Sequence, residues 1–568
     1  MPIAAGTTNL FFNRDTKVFL GQSAGKPIVV ANTLLAANAL TTGVAHGLTT
    51  GDRIMFANNV AGLGGAGLPV VGTVYYAISL TTTTFSVAAT FALAIAGTAL
   101  VITGTPTTTP LVHQLDGYLT PATAIITGGT TLTITATHNF SAGDVVDIAG
   151  ITDTAYLNIN GTYVVASIST TVNFTVTLDS ATNGTISTPS VIRVTKENLW
   201  ELPVLQGYAV SQGTSTSEVT LNEMSNASGI SRRGKQVFTD SMSPSEWSFD
   251  TYMRPFKSTS QYCVEEPLWA AMIGRNYSLV SGSATTQTTV WSNGLTPNTA
   301  ASYVTRDATD LEFAFTASNS VTLTTFDIYF VLGASKVSGR SYTTTTDGGS
   351  TTIYKVSGAV INECAMTFDI DGISTISWSG MGSAVTELGA FYGTLAGSMG
   401  QTSTSNFIRN RLTALTAVST SPTATTYDIT LTGGSITISN NITFLTPEVM
   451  GIVNKPIGHV TGTRSITGTF TAYLDEISNG TVDLFQNIAE RGNSTITNSF
   501  ALNFFIGGGS GVLPTAPGVQ IAMGQCHLEV PNLSFDDVIS TEVNFHALPS
   551  AVGGADEISV VRYIGQPL

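Results

Sequence analysis

Glu246-Trp247-Ser248-Phe249-Asp250-Thr251-Tyr252-Met253-Arg254-Pro255 alternates large apolar with polar residues. Successive side chains of a strand point to opposite faces, so Trp247, Phe249, Thr251 and Met253 share one side, turned inward or against a neighbour. Far downstream, Gly468-Thr469-Phe470-Thr471-Ala472-Tyr473-Leu474 answers this run position for position at Phe and Tyr. What surrounds the two runs also corresponds. Glu265-Glu266-Pro267-Leu268-Trp269-Ala270-Ala271-Met272-Ile273-Gly274 predicts a short helix, with acids in its first turn, Pro near its start and Gly at its stop. Thr481-Val482-Asp483-Leu484-Phe485-Gln486-Asn487-Ile488 predicts its counterpart. Strands at Ala365 to Ile370 and Ser374 to Trp378 are answered by Cys526 to Val530 and Thr541 to His546. Each half opens on a related motif, Asn9-Leu10-Phe11-Phe12-Asn13-Arg14 and Asn406-Phe407-Ile408-Arg409-Asn410-Arg411. One fold present twice is the expectation.

The first copy is interrupted directly after its first strand. Residues 26–192 carry a period of their own: His46-Gly47-Leu48-Thr49-Thr50-Gly51-Asp52-Arg53-Ile54, then Gly72-Thr73-Val74 and Thr84-Phe85-Ser86-Val87. The pattern returns as His138-Asn139-Phe140-Ser141-Ala142-Gly143-Asp144-Val145-Val146, then Gly161-Thr162-Tyr163 and Asn173-Phe174-Thr175-Val176. A repeated supersecondary pattern of this kind predicts two tandem small β-domains, with Gly-Asp marking a turn between strands. The expected divisions are residues 1–25 with 193–400, the insertions 26–110 and 111–192, and 401–568.

Apolar residues make up 42% of the 568 and charged residues only 10%, so Ser, Thr, Asn and Gly must cover the surface. The charge of -15 argues against a protein that grips nucleic acid through phosphate contacts, though not against a surface past which nucleic acid slides. Cys263, Cys364 and Cys526 lie too far apart for a local metal motif and are expected as buried thiols. The N-terminal run Met1-Pro2-Ile3-Ala4-Ala5-Gly6 lacks a basic segment followed by an apolar one, which makes a secretory signal unexpected. Phe85 to Ile102 is apolar, yet Thr and Gly interrupt it and it follows a strand-like run, so no membrane span is expected.

Nothing nominates catalysis, a cofactor or a metal. Gly507-Gly508-Gly509-Ser510-Gly511 is followed by neither Lys-Ser/Thr nor a helix pattern and reads as a loop. His46 and His138 occupy equivalent places, one per unit, and are expected to hydrogen-bond beside their turns. Asp369 and Asp371 alternate with apolar residues on a strand, which turns them to solvent or to a lumen; Asp536 and Asp537 form a second acidic pair. Arg232, Arg233 and Lys235 form the densest basic cluster, expected to meet acids across a subunit contact.

The run Leu199-Trp200-Glu201-Leu202-Pro203-Val204-Leu205 through Glu218-Val219-Thr220-Leu221-Asn222-Glu223-Met224, then Arg232-Arg233-Gly234 and the Trp247 strand, resembles the tail-tube protein of long-tailed bacteriophages. The resemblance covers about two-thirds of the chain. It implies a mainly β chain: two copies of a β-sandwich, barrel-forming fold, each with one short helix, plus the two inserted β-domains. It further implies rings of six folds, hence of three such chains, stacked into a tube through which DNA passes without specific binding. The implied setting is a virion tail, made in the host cytoplasm and completed by terminator, baseplate or tip proteins. On this reading Arg14, Arg232, Arg233, Lys235, Trp247, Phe249, Tyr252, Arg411, Phe470 and Tyr473 are candidates for subunit contacts, and Asp369 and Asp371 for the lumen. Thr/Ser-rich stretches near Thr285 and Thr343 would bridge rings, and assembly would survive removal of residues 26–192. The rival is a surface adhesin or carbohydrate-binding virion decoration protein that acts through exposed aromatics such as Tyr75, Tyr76 and Tyr163.

Overall fold

The structure is a computed structural model. It describes residues 16–564 except 65–73, 220–235, 256–262, 274–303, 316–322, 333–351, 389–397, 400–406, 508–517 and a series of shorter gaps. Strand β1 (Lys17–Ala36) is the spine from which the inserted segment departs. That segment contains β2 (Arg53–Phe56), β3 (Val74–Ser79), β4 (Thr84–Ala88), the short helix α1 (Phe91–Ile95) and β5 (Leu111–Gln114), then β6 (Thr131–Thr135), β7 (Val145–Ala149), β8 (Gly161–Thr170) and β9 (Asn173–Thr177). The apolar stretch after Phe85 is thus a strand end and one helical turn capped by Thr90, whose side chain accepts from the Leu93 N–H. Among the described residues no helix is long and apolar enough to cross a membrane.

The chain then runs through β10 (Arg193–Leu202), β11 (Ala209–Val219), β12 (Gln236–Tyr252), α2 (Glu266–Met272), β13 (Phe326–Leu332), β14 (Thr352–Asp369), β15 (Thr375–Gly382) and β16 (Ala384–Leu388). It continues as β17 (Ala414–Ser419), β18 (Thr425–Ile429), β19 (Leu431–Ser439), β20 (Ser465–Tyr473), α3 (Thr481–Gly492), β21 (Phe500–Ile506), β22 (Gly518–Leu528), β23 (Asn532–Phe535), β24 (Ile539–Ala547) and β25 (Val560–Ile564). Pro267 sits in the first turn of α2. At the head of α3, the Thr481 hydroxyl accepts from the Asp475 N–H at 2.8 Å while Asp475 accepts from the Thr481 N–H at 3.1 Å, which satisfies the first helical N–H and ties the preceding loop to it.

Strand pairing follows two parallel lists. In the first, β10 pairs with β1, β1 with β13, β13 with β14, β14 with β16 and β15, β15 with β12, and β12 with β11. In the second, β18 pairs with β17, β17 with β21, β21 with β22, β22 with β25 and β24, β24 with β20, and β20 with β19. The lists meet where Glu363–Asp369 of β14 pairs with β19. The inserted segment has the same property: β5–β2–β3–β4 on one side, β10–β7–β8–β9 on the other. Strand β5 packs with the earlier unit, as Val112 shares its core, so that unit extends past the expected division at 110.

One apolar core runs under both halves. It takes Trp247, Phe249, Trp269 and Trp378 from the first and Phe470, Ile488, Phe504 and Phe545 from the second. The inserted units have separate cores around Phe85 and Phe174.

Candidate functional surface

Strands β12, β15, β14, β19, β20 and β24 lie side by side, so their directly opposed residues form rows across one sheet. One face is Phe249, Trp378, Cys364, Ile438 and Ile466 in one row and Thr251, Ile376, Met366, Ile436, Gly468 and Phe545 in the next. This face packs on α2: Trp269 meets Trp378 edge-on at 5.2 Å, and the Trp378 indole donates to Thr251 Oγ1 at 3.0 Å.

The period of two turns everything between these residues outward. Successive rows there read Ser248, Ser379, Glu363, Ser439 and Ser465; Asp250, Ser377, Ala365, Thr437, Thr467, His546 and His527; Tyr252, Thr375, Thr367, Ser435, Thr469 and Asn544; and Asp369, Gly433, Thr471 and Glu542. Hydroxyls bond to one another along the rows, Ser435 with Thr469 at 3.2 Å and Thr432 to Thr471 at 2.9 Å. Asp250, Glu363, Asp369 and Glu542 bring carboxylates to these rows, Glu246 adds one beside Ser248 on β12, and none of these rows contains Lys or Arg. Glu529, just beyond β22, accepts from Asn544 at 2.9 Å and from His546 at 3.3 Å, and these bonds hold its carboxyl below the usual range. A wide face of hydroxyls and acids without fixed positive charge repels a polyanion and offers it few partners.

Of the expected contact residues, Trp247, Phe249 and Phe470 are buried in the chain's own core, at 2%, 1% and 0% exposure. They have no surface to give a neighbour; of the two faces open to the Trp247 run, the inward one holds. Tyr252 and Tyr473 lie on the polar face, Tyr252 against the Phe407 ring at 5.3 Å. Arg411 is exposed in a single helical turn. Arg14, Arg232, Arg233 and Lys235 lie outside the described residues, as do Asp536, Asp537, Thr285 and Thr343. Asp369 is exposed at the end of β14 and Asp371 in the bend beyond it. The remaining acids of the face were missed by sequence reasoning, although alternation within β12 and β14 already placed Asp250 opposite Phe249 in orientation and Glu363 opposite Cys364.

The second opening motif ties the halves together. Ile408 is buried, Arg409 bridges to Ile373, and Asn410 accepts a short hydrogen bond from the Ser374 hydroxyl. His46 and His138 brace their turns alike: the N–H groups of Leu48 and Phe140 donate to Nδ1 at 2.9 and 3.1 Å. The three cysteines are buried and form no disulfide; burial pushes the Cys526 thiol up to about 12. Tyr75, Tyr76 and Tyr163 are buried, and the Tyr163 hydroxyl donates to the Ile159 carbonyl, so the aromatics on which the adhesin reading rested are not displayed.

No family model matches the chain. It is similar to the tail tube protein pb6 of Escherichia phage T5, with 31% identity over 378 residues, 64% of this chain and 70% of that protein. That likeness, on a mainly β architecture, settles the family: the chain belongs to the tail-tube proteins of long-tailed bacteriophages and is a structural component of the virion tail.

Proposed function

We propose that the chain carries one tail-tube fold twice, in residues 1–25 with 193–400 and again in 401–568, and that three chains close into a pseudo-hexameric ring. Stacked rings form a conduit through which DNA leaves the virion. The observation that carries this reading is the polar face of the sheet from β11 to β23, together with what lies at its ends. Strands β11 and β23 terminate this sheet among the described residues. At its middle, β14 of one half joins β19 of the other. Repeating that joint between chains sets the end of one sheet, β22 and β23, against β11 of the next, and only closure removes both edges.

In such a ring the acid and hydroxyl rows line the channel, and DNA slides along carboxylates that repel it. The protein has a conduit role rather than a catalytic one. It is made in the host cytoplasm and ends in contact with the terminator and the baseplate or tip. Electron microscopy of the purified protein, with the initiating tail complex added if needed, tests the reading. Rings of three chains with sixfold pseudo-symmetry are expected; a protein that stays monomeric under both conditions overturns it.

A further inference from the structure

We infer that the two inserted units have different roles: the second is a fixed cover over the outer sheet of the first half, whereas the first stands off from it.

This outer sheet, β10–β1–β13–β14–β16, is continuous into the second unit, because β10 pairs with β1 along one edge and with β7 along the other. Its outward face is apolar. Phe19, Leu199, Tyr329, Val331 and Ile353 form a cluster there, and Val145 of β7 and Val164 of β8 complete it. Both valines point away from their own unit's core, which uses Val146, Ile148, Tyr163 and Val165 instead. A charged group is buried beneath the same hairpin. Lys355 Nζ lies 2.8 Å from Asp327 Oδ2 and 3.3 Å from Asp147 Oδ1 of β7, with the Thr162 hydroxyl of β8 at 3.4 Å. Beside it, the Tyr329 hydroxyl donates to buried Glu197 at 3.3 Å. Stripping off the hairpin would leave Lys355 with one fewer counter-charge and a wet apolar face.

The corresponding face in the second half carries no inserted unit among the described residues and is mixed rather than apolar: half-buried Thr416, Asn503 and Gln520 share it with Val418 and Phe505, and Gln520 donates to Asn503 at 3.1 Å. This contrast rests on the proposed correspondence of the halves; the burial of Lys355 and Tyr329 does not. Among the described residues the first unit has no such engagement: its strands pair with one another and with the β1 stretch Lys26–Ala36, and its core draws on its own residues. Removing 26–192 as one block would therefore strip the cover along with the free unit.

Phe85 and Phe174 hold equivalent, fully buried places in the two cores, which allows a matched test in the full chain. Phe85→Ala loosens the first unit and Phe174→Ala the second. Hydrogen exchange is read at the amides of β1 (residues 17–21), β13 and the first half of β14. Phe174→Ala should speed exchange there at least tenfold, and Phe85→Ala by less than twofold. A Val145→Ser/Val164→Ser chain should reproduce the tenfold effect while β6 and β9 keep their protection. Equal effects of the two Phe variants on the outer sheet, or no effect of Phe174→Ala, would overturn the inference. The readout is internal to the monomer, so it is indifferent to whether rings form.

Discussion

Tyr563 donates a hydrogen bond to Glu265 Oε1 across 2.7 Å, joining residues 298 positions apart in the chain. The same hydroxyl accepts from the Trp269 indole at 2.7 Å. Both ends of the bond are fully buried, so β25, near the end of the chain, completes the core around α2 in the first half. Strand β25 is clamped on both sides, between β22 and Asp310–Phe313. The core of the first half thus includes a strand from the far side of the sequence.

Tyr563→Phe removes the hydroxyl and strands two buried partners, the Trp269 N–H and the Glu265 carboxyl. Leaving such groups unsatisfied costs about 1–3 kcal/mol each, so the variant should lose about 2–6 kcal/mol in urea unfolding. A loss under about 0.5 kcal/mol would show that the bond does not hold β25 in place.

Burial pushes the Glu265 carboxyl up to about 7 from an ordinary 4.5, against the opposing pull of the Tyr563 bond. Its Oε2 is buried without a hydrogen-bond partner among the described residues, as suits a neutral acid. A carboxyl raised on folding binds its proton more tightly in the native state, so its contribution is complete below the unfolded value and is lost as pH climbs toward the folded one. Stability should therefore fall between pH 4.5 and 7, with Glu197, raised to about 8 by burial, adding to the slope in the same direction. Glu265→Gln should flatten the decline by up to about 3 kcal/mol. An unchanged pH profile in thermal melts would remove Glu265 from this account.

Gly380 and Gly468 lie where strands approach too closely for any side chain. A Cβ at Gly380 would meet the Val360 carbonyl oxygen at 2.0 Å and the Trp247 ring at 2.5 Å; at Gly468 it would meet the Ser435 oxygen at 2.2 Å and the Phe545 ring at 2.4 Å. Alanine at either position should cost about 1–3 kcal/mol or more through overpacking. Gly524→Ala, which meets nothing within 4 Å, is the control and should be close to neutral.

Charge reversal tests the polar face. Asp250→Lys/Glu363→Lys adds two lysines per chain, hence six in a ring of three. Assembled wild-type tubes should release double-stranded DNA, whereas the variant should retain it. Its affinity should fall about a thousandfold between 50 and 200 mM salt. Retention that ignores salt, or none at all, would place these residues away from the DNA path.

Much of this was legible in the residues. The Trp247 run and its Phe470 counterpart are strands, α2 and α3 begin where Pro267 and Thr481 place them, and the repeated Gly-Asp turns each have a buried His beside them. These signals are local: alternation, caps and turn residues act within a few positions. The contact candidates Trp247, Phe249 and Phe470 were harder, because a large apolar residue in a strand reads alike whether its own core or a neighbour covers it. Tyr75, Tyr76 and Tyr163 misled for the same reason.

By itself the sequence determined that strands alternate, where two short helices start, and that two patterns each occur twice, since period, capping and turn chemistry are written in neighbouring residues. Only the tertiary structure decided which face of each strand is dry. It put Asp250 and Glu363 in one field of acids and hydroxyls, seated Val145 and Asp147 over Phe19 and Lys355, and brought Tyr563 to Glu265. Those outcomes depend on strands hundreds of residues apart, and burial belongs to the assembled sheet rather than to any stretch of the chain.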